Sequence, residues 1–205
     1  MTSSPGSPVF FDAARHGLVD RDRSVLAVID VQSYFLGKLP LDTREPLVAR
    51  MAWLMRVARE LSIPILATAE DVANDGPLVA ELSSLLPDGA VVHDKMVFGL
   101  CGQPPILEEL LGHGRDTVVL VGLETDVCIA QSALGLAERG LRPVVIEDAT
   151  GSPPPNHDAG LRRLREAGIT VTTVKGIFYE WVRDLATYHR VKAALNVPLP
   201  PGMTI

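Results

Sequence analysis

Three side chains in this sequence are of types that could together make and use a nucleophile. Cys128 stands where the apolar run Thr117 to Val121 has passed through Gly122 and a helix-period stretch begins. Asp30 closes the apolar run Val25 to Asp30, and Lys95 follows another, Ala90 to His93. A thiol in the first turn of a helix and near an ammonium is expected to have its pKa lowered from about 8.5 toward roughly 3.5–7.5. A carboxylate alongside could take its proton, and backbone N–H groups at the start of that helix could hold an oxyanion, an interaction worth roughly 2.7–4 kcal/mol per donor. Each residue also has a plainer explanation. A free cysteine is most often a small buried hydrophobe, a strand-end aspartate a turn cap and a lysine a solvated charge. Their joint placement favours chemistry.

That placement depends on the elements around them. From Ser24 onward, short β-branched runs alternate with longer helix-period stretches, the pattern that builds parallel sheets from βαβ units. Val25 to Asp30, Ile63 to Thr68, Ala90 to His93, Thr117 to Val121, Pro143 to Ile146 and Thr170 to Val174 read as six strands, apolar enough to be buried on both faces. Helices are expected over Arg44 to Leu61, Ile106 to Leu111, Asp126 to Arg139, Asp158 to Ala167 and Ile177 to Ala194, with Gly112, Gly140 and Gly168 as terminators. Thr125 and Asp126 are good N-cap residues for the helix that carries Cys128. Gly151 to Asn156 reads as a rigid turn. The expected fold is a three-layer, doubly wound α/β domain with a six-stranded, mainly parallel sheet flanked by helices. Ligands of such sheets bind beyond the carboxyl ends of the strands, where Asp30, Lys95 and Cys128 all fall.

The stretches Val28-Ile29-Asp30-Val31-Gln32, Asp94-Lys95-Met96-Val97-Phe98 and Val121-Gly122-Leu123-Glu124-Thr125-Asp126-Val127-Cys128 resemble, in order and spacing, three signatures of isochorismatase-like cysteine hydrolases. The resemblance spans Ser24 to Arg183. It implies Asp30 as the base, Lys95 as its charge partner and Cys128 as a nucleophile that forms an acyl-enzyme on a small amide or related C–N bond. It also implies an oxyanion hole from the N–H groups of Glu124 and Cys128, a cis peptide at Leu123–Glu124, and self-association into a homo-oligomer. Nicotinamidases resembling this fold carry metal-ligating histidines after the second strand; Thr68 to Asp75 contains none, so no metal or other cofactor is expected. Isochorismatases that act on an enol ether often lack the cysteine, so possession of Cys128 argues against that activity, which stands as the alternative. A non-catalytic interaction subunit is a further alternative, opposed by the retention of all three reactive residues. Gln32, Tyr34, Phe35, Glu70 and Phe98 follow strand ends and are expected to line the substrate pocket, although Tyr34 and Phe35 could equally plug the core edge and Glu70 could cap a helix. His93, His113, His157 and His189 show no metal-ligand spacing and receive no role.

Composition narrows the rest. With 205 residues, 47% hydrophobic and 21% charged, the chain is expected to form one domain over residues 23–195, with an N-terminal extension at 1–22 and a C-terminal tail at 196–205. A net charge of −6 with no basic run offers no footprint for nucleic acid or an anionic membrane, which leaves a small-molecule substrate. Residues 1–9 are polar and rich in Pro, Gly and Ser, reading as a flexible tail and not a secretory signal. Two cysteines make neither a disulfide framework nor a four-ligand zinc site, and fit free thiols in the cytoplasm. The first turn, Val31 to Gly37, lacks the Gly-x-Gly-x-x-Gly of a dinucleotide-binding module.

Overall fold

The computed structural model describes residues 17–205, so the expected polar tail at 1–9 lies outside the described residues. The six strands are β1 (Ser24–Ile29), β2 (Ile65–Glu70), β3 (Val92–Lys95), β4 (Thr117–Leu123), β5 (Arg142–Gly151) and β6 (Thr170–Thr172). They form one sheet in the order β3-β2-β1-β4-β5-β6, and every adjacent pair is parallel. Between them run α1 (Ser33–Gly37), α2 (Leu41–Glu60), α3 (Val72–Asp75), α4 (Ala80–Ser83), α5 (Pro104–Gly112), α6 (Ala130–Glu138) and α7 (Asn156–Glu166), and after β6 come α8 (Val174–Val182) and α9 (Leu185–Leu195).

Alternation along the central strands divides the apolar side chains between two cores. Leu26 and Val28 of β1 point to one face, where they join Met51, Leu54 and Met55 of α2 and Phe178 and Trp181 of α8. Val25, Ala27 and Ile29 point to the other, against Ile106 of α5, Ala133 and Leu136 of α6 and Leu164 of α7. Burial on both faces explains why β1, β2 and β4 read as nearly unbroken apolar runs, whereas the edge strands β3 and β6 are only partly buried, contrary to the expectation for all six. At the C-terminus, Met203 and Ile205 pack against the first core, and Arg50 donates to the Pro201 carbonyl at 3.3 Å.

The expected helix over 177–194 is two helices. Arg183 turns the chain at φ 67°, and the Asp184 carboxylate then caps α9 by accepting from the Thr187 amide at 2.8 Å. Thr173 caps α8 in the same way, its hydroxyl accepting from the Gly176 amide at 3.0 Å. Of the three glycines expected as terminators, Gly140 and Gly168 have the left-handed backbone of that role, but after α5 it is Gly114, not Gly112, that does. The short helices α1, α3 and α4 have too few residues to show a period and went unread in the sequence.

The strand order reverses between β1 and β4, and that seam depends on Gly122. It pairs with Ile29 at φ 127°, and a Cβ there would lie 2.0 Å from the Ile29 carbonyl oxygen. No side chain can yield, because the obstruction is backbone. Gly122→Ala should therefore cost about 3 kcal/mol or more in urea unfolding, with loss of any activity of the adjacent site. A cost below about 1 kcal/mol would show that the seam can open without penalty.

Candidate active site

Strand register assembles the cluster. Ile29 lies beside both Thr68 and Gly122, and Glu70 lies beside Lys95, so the ends of β1 to β4 meet at the seam where the sheet order reverses. Asp30 leaves β1 with φ 52°, a conformation aspartate tolerates better than most residues, while its amide donates to the Thr68 carbonyl. Its carboxylate is fully buried, with Oδ1 accepting from the Thr68 hydroxyl at 2.7 Å and Oδ2 lying 2.9 Å from Lys95 Nζ.

Lys95 is itself fully buried, which an ammonium survives only if it is surrounded by acceptors. Besides Asp30 it meets Glu70 Oε2 at 3.0 Å, the Val97 carbonyl at 2.6 Å, the Phe98 carbonyl at 3.2 Å and Cys128 Sγ at 3.8 Å. Burial opposes its charge, but Asp30, Cys128 and Glu70 outweigh that and hold its pKa above the ordinary lysine value. Burial also raises the Asp30 pKa, against the pull of Lys95 and Thr68.

Cys128 is buried at the carboxyl end of β4, within the π-helical turn Thr125–Ile129 that precedes α6. The Ile129 amide reaches back to the Glu124 carbonyl at 3.1 Å, and the Leu123–Glu124 peptide is cis, as the resemblance implied. Glu124 and Cys128 thus sit at the opening of the turn. Thr125 and Asp126 do not cap it, contrary to their expected role. The Thr125 hydroxyl pairs with His157 Nδ1 at 2.9 Å, and Asp126 Oδ1 accepts from the Ser152 hydroxyl at 2.6 Å. Both bonds tie the turn to the end of β5 and the start of α7. Gly160 lets α7 approach, since a Cβ there would lie 2.9 Å from the Asp126 backbone.

The electrostatics correct another expectation. The Cys128 pKa is pushed up, not down: burial is the main cause, Asp30 and Glu70 add to it, and Lys95 alone pulls the other way. Two carboxylates against one ammonium leave a surplus of negative charge, and a thiolate would enlarge it. Iodoacetamide should accordingly alkylate Cys128 more slowly than free cysteine at pH 7 and faster as the pH rises, since a raised thiol pKa leaves less thiolate at a given pH. Peptide mass mapping, which separates Cys128 from Cys101, checks this; labelling at pH 7 faster than free cysteine would contradict it.

The five expected pocket residues fall into different settings. Gln32 is fully buried and bonded to backbone: Nε2 donates to the carbonyls of Glu70 at 2.7 Å and Gly76 at 2.6 Å, and Oε1 accepts from the Glu70 amide at 2.7 Å. It braces the end of β2, and both ends of its amide are spent doing so. Phe35 is buried in the first core and plugs its edge. Tyr34 and Phe98 are 52% and 53% exposed, so neither ring is spent in the core. Glu70 belongs to the charged cluster, accepting from the Cys128 thiol at 3.2 Å as well as from Lys95.

Thr68, Ser152 and His157 were missed in the sequence. Thr68 could have been found as the strand residue in register with the end of β1; the other two carry no local signal. Asp30, Glu70 and Cys128 offer ligand atoms within 4.8 Å of one another, a spacing that suits a metal ion. The Lys95 ammonium, however, is bonded to both carboxylates and supplies the positive charge there. A cavity of about 460 Å³ opens at the end of β5, lined in part by Gly151 and by Ser152 and His157, the two residues that bond to the cysteine turn.

Residues 24–176 match the family model of the isochorismatase domain. The chain belongs to the isochorismatase family. Isochorismatase domain-containing protein 2 of Bos taurus is 33% identical over 181 residues, covering 87% of this chain and 84% of that protein. Among solved structures, the MAR1 ribonuclease of Caenorhabditis elegans superposes with a TM-score of 0.79 at 26% identity, over 92% of this chain and 98% of that one. The YcaC gene product of Escherichia coli, described as an octameric hydrolase of unknown specificity, gives 0.78 at 22% identity, over 87% and 88%. The sheet, with its reversal between β1 and β4, is the isochorismatase-type scaffold, and Asp30, Lys95 and Cys128 lie at the carboxyl ends of its strands, the edge at which open parallel sheets in general bind ligands. Among the described residues, no helix is long and apolar enough to cross a membrane.

Proposed function

We propose that this isochorismatase-family protein is a cysteine hydrolase that cleaves a small-molecule amide or related C–N bond through a thioester on Cys128. The observation that carries this reading is the contact set of one sulfur, 3.8 Å from the Lys95 ammonium and 3.2 Å from a carboxylate oxygen of Glu70, at the strand ends of the reversal seam. Because the thiol pKa is raised, the sulfur attacks as its proton leaves for a carboxylate, so that thiolate never accumulates. Asp30 keeps Lys95 charged and in place, and Lys95 offsets the negative charge that develops on sulfur. The backbone amides of Glu124 and Cys128 would receive the oxyanion, a role taken from the resemblance and supported by their position at the opening of the turn.

The Caenorhabditis elegans relative bears the name of a ribonuclease. Against a nucleic-acid substrate here stand the net charge of −6 and a cluster of two carboxylates to one ammonium, which would repel a phosphodiester. We read the protein as a cytoplasmic homo-oligomer, which is supported by its two free cysteines and by the exposed side chains of Leu41, Met96 and Leu185.

Mass spectrometry of acid-quenched reactions tests the mechanism. Incubation with a panel of primary amides, assayed for ammonia, should yield at least one substrate that leaves an acyl adduct on the Cys128 peptide. Turnover that persists in Cys128→Ala would refute the reading.

A further inference from the structure

The resemblance assigns the thiol proton to Asp30, but the contacts around the sulfur direct it elsewhere. Asp30 is fully buried, its Oδ1 engaged by the Thr68 hydroxyl and its Oδ2 facing Lys95 Nζ. The oxygen within hydrogen-bonding distance of Cys128 Sγ is Glu70 Oε2, at 3.2 Å, and Lys95 Nζ meets that same atom at 3.0 Å. The Glu70 side chain is 16% exposed where that of Asp30 is sealed, so it alone of the two carboxylates reaches toward solvent. Its backbone is fixed on both sides, the amide donating to Gln32 Oε1 and the carbonyl accepting from Gln32 Nε2, each at 2.7 Å. With its backbone so anchored, Glu70 starts from a fixed point at the end of β2 and presents Oε2 to the sulfur and the Lys95 ammonium together.

We propose that Glu70 is a catalytic residue that carries the proton between Cys128, the leaving amine and the hydrolytic water. This rests on the cysteine-hydrolase reading and deepens it. As the sulfur forms its bond to the carbonyl carbon, the thiol proton passes to Glu70 and the C=O pair moves onto oxygen. Collapse of that intermediate breaks the C–N bond, and the departing nitrogen takes the proton from Glu70. Glu70 next removes a proton from water as its oxygen adds to the thioester; the C–S bond then breaks, the acid leaves, and Glu70 returns the proton to sulfur. One amide and one water become one acid and one amine. Asp30 and Thr68 act as positioning residues that hold Lys95 in place.

Glu70→Gln separates this role from a structural one. Removing the carboxylate removes one of the negative charges that disfavour thiolate, so iodoacetamide should alkylate Cys128 several-fold faster than in the wild type at pH 7.5. Turnover of the primary amide that the wild type hydrolyses best should fall about 10²–10⁴-fold, because leaving amine and water lose their proton carrier. This opposite movement of the two readouts supports the proposal. Undiminished amide turnover, or a parallel fall in both readouts, overturns it. Should Glu70→Gln fail to fold, Glu70→Asp carries the test: the carboxylate withdraws by one methylene, and turnover should fall at least about tenfold with alkylation not slowed, whereas wild-type turnover overturns the role. Cys128→Ala, assayed in parallel, keeps the two claims apart. Turnover that survives in Cys128→Ala defeats the cysteine-hydrolase reading, while turnover that needs Cys128 but not Glu70 defeats only the proton-carrier role.

Discussion

Cys128→Ala should lower kcat/KM on any amide substrate by at least about 10⁴-fold while the protein stays folded. The size follows from the sulfur's place in the proposed scheme: without it no covalent intermediate would form, and the oxyanion donors and binding contacts proposed to remain would account for only the residual rate of nucleophile-deleted hydrolases. Preservation of the fold follows from the contact network. Lys95 keeps Asp30 Oδ2, Glu70 Oε2 and the carbonyls of Val97 and Phe98 when the sulfur is gone, so no buried charge loses its counter-charge. Cys128→Ser should be nearly as inactive, since the hydroxyl is a far weaker nucleophile without a strong base. Thermal unfolding and steady-state kinetics measured on the same preparations check both halves. A drop of less than about tenfold would mean that bond cleavage does not pass through this sulfur.

The fold was legible because its signal is redundant. The central strands β1, β2 and β4 are largely apolar runs too short for a helix, and the longer helices repeat their apolar positions over two turns or more, so a few conflicting residues there change nothing. Errors arose where one residue decides. Arg183 turning at φ 67° splits a helix that the apolar pattern alone carries straight through. β5 runs on to Gly151 past Glu147 and Asp148 because a shift of register with β4 bulges the strand, and charged residues at a bulge look like a strand end.

At the site, the types and positions of Asp30, Lys95 and Cys128 could be read, since strand ends of a parallel sheet gather at one edge. Their environment could not. Whether the cysteine is an acidic or a reluctant thiol depends on how many carboxylates face it, and the second of these, Glu70, is brought in by the pairing of β2 with β3. Gln32 shows the same limit from the other side: an amide after a strand end suits a ligand and a backbone brace equally, and only the positions of the Glu70 and Gly76 carbonyls decide between them.

Lys95→Met should be the most destabilising change at the site, by about 3–5 kcal/mol, because it leaves a fully buried Asp30 carboxylate with no counter-charge. In a chain of this size that corresponds to a fall in Tm of roughly 6–20 °C. The loss should depend on pH in a defined direction. Burial already holds the folded pKa of Asp30 above its ordinary 3.8, and removal of the ammonium raises it further. A carboxyl group whose pKa is higher folded than unfolded binds its proton more tightly in the folded state, so its contribution to stability is complete below the unfolded pKa and is lost as pH rises through the folded one. The deficit of Lys95→Met relative to wild type should thus be greatest near pH 8 and shrink steadily on acidification, as measured by urea unfolding across that range. Asp30→Asn added to Lys95→Met should restore a large part of the lost stability at pH 8, since the amide removes the charge and can still accept from the Thr68 hydroxyl. A deficit that is independent of pH, or a double variant no more stable than Lys95→Met alone, would assign the loss to packing of the lysine stem. Recovery of stability with no recovery of turnover would show that the ion pair answers two demands at once: it makes a buried carboxylate tolerable, and it places a positive charge where the sulfur becomes negative.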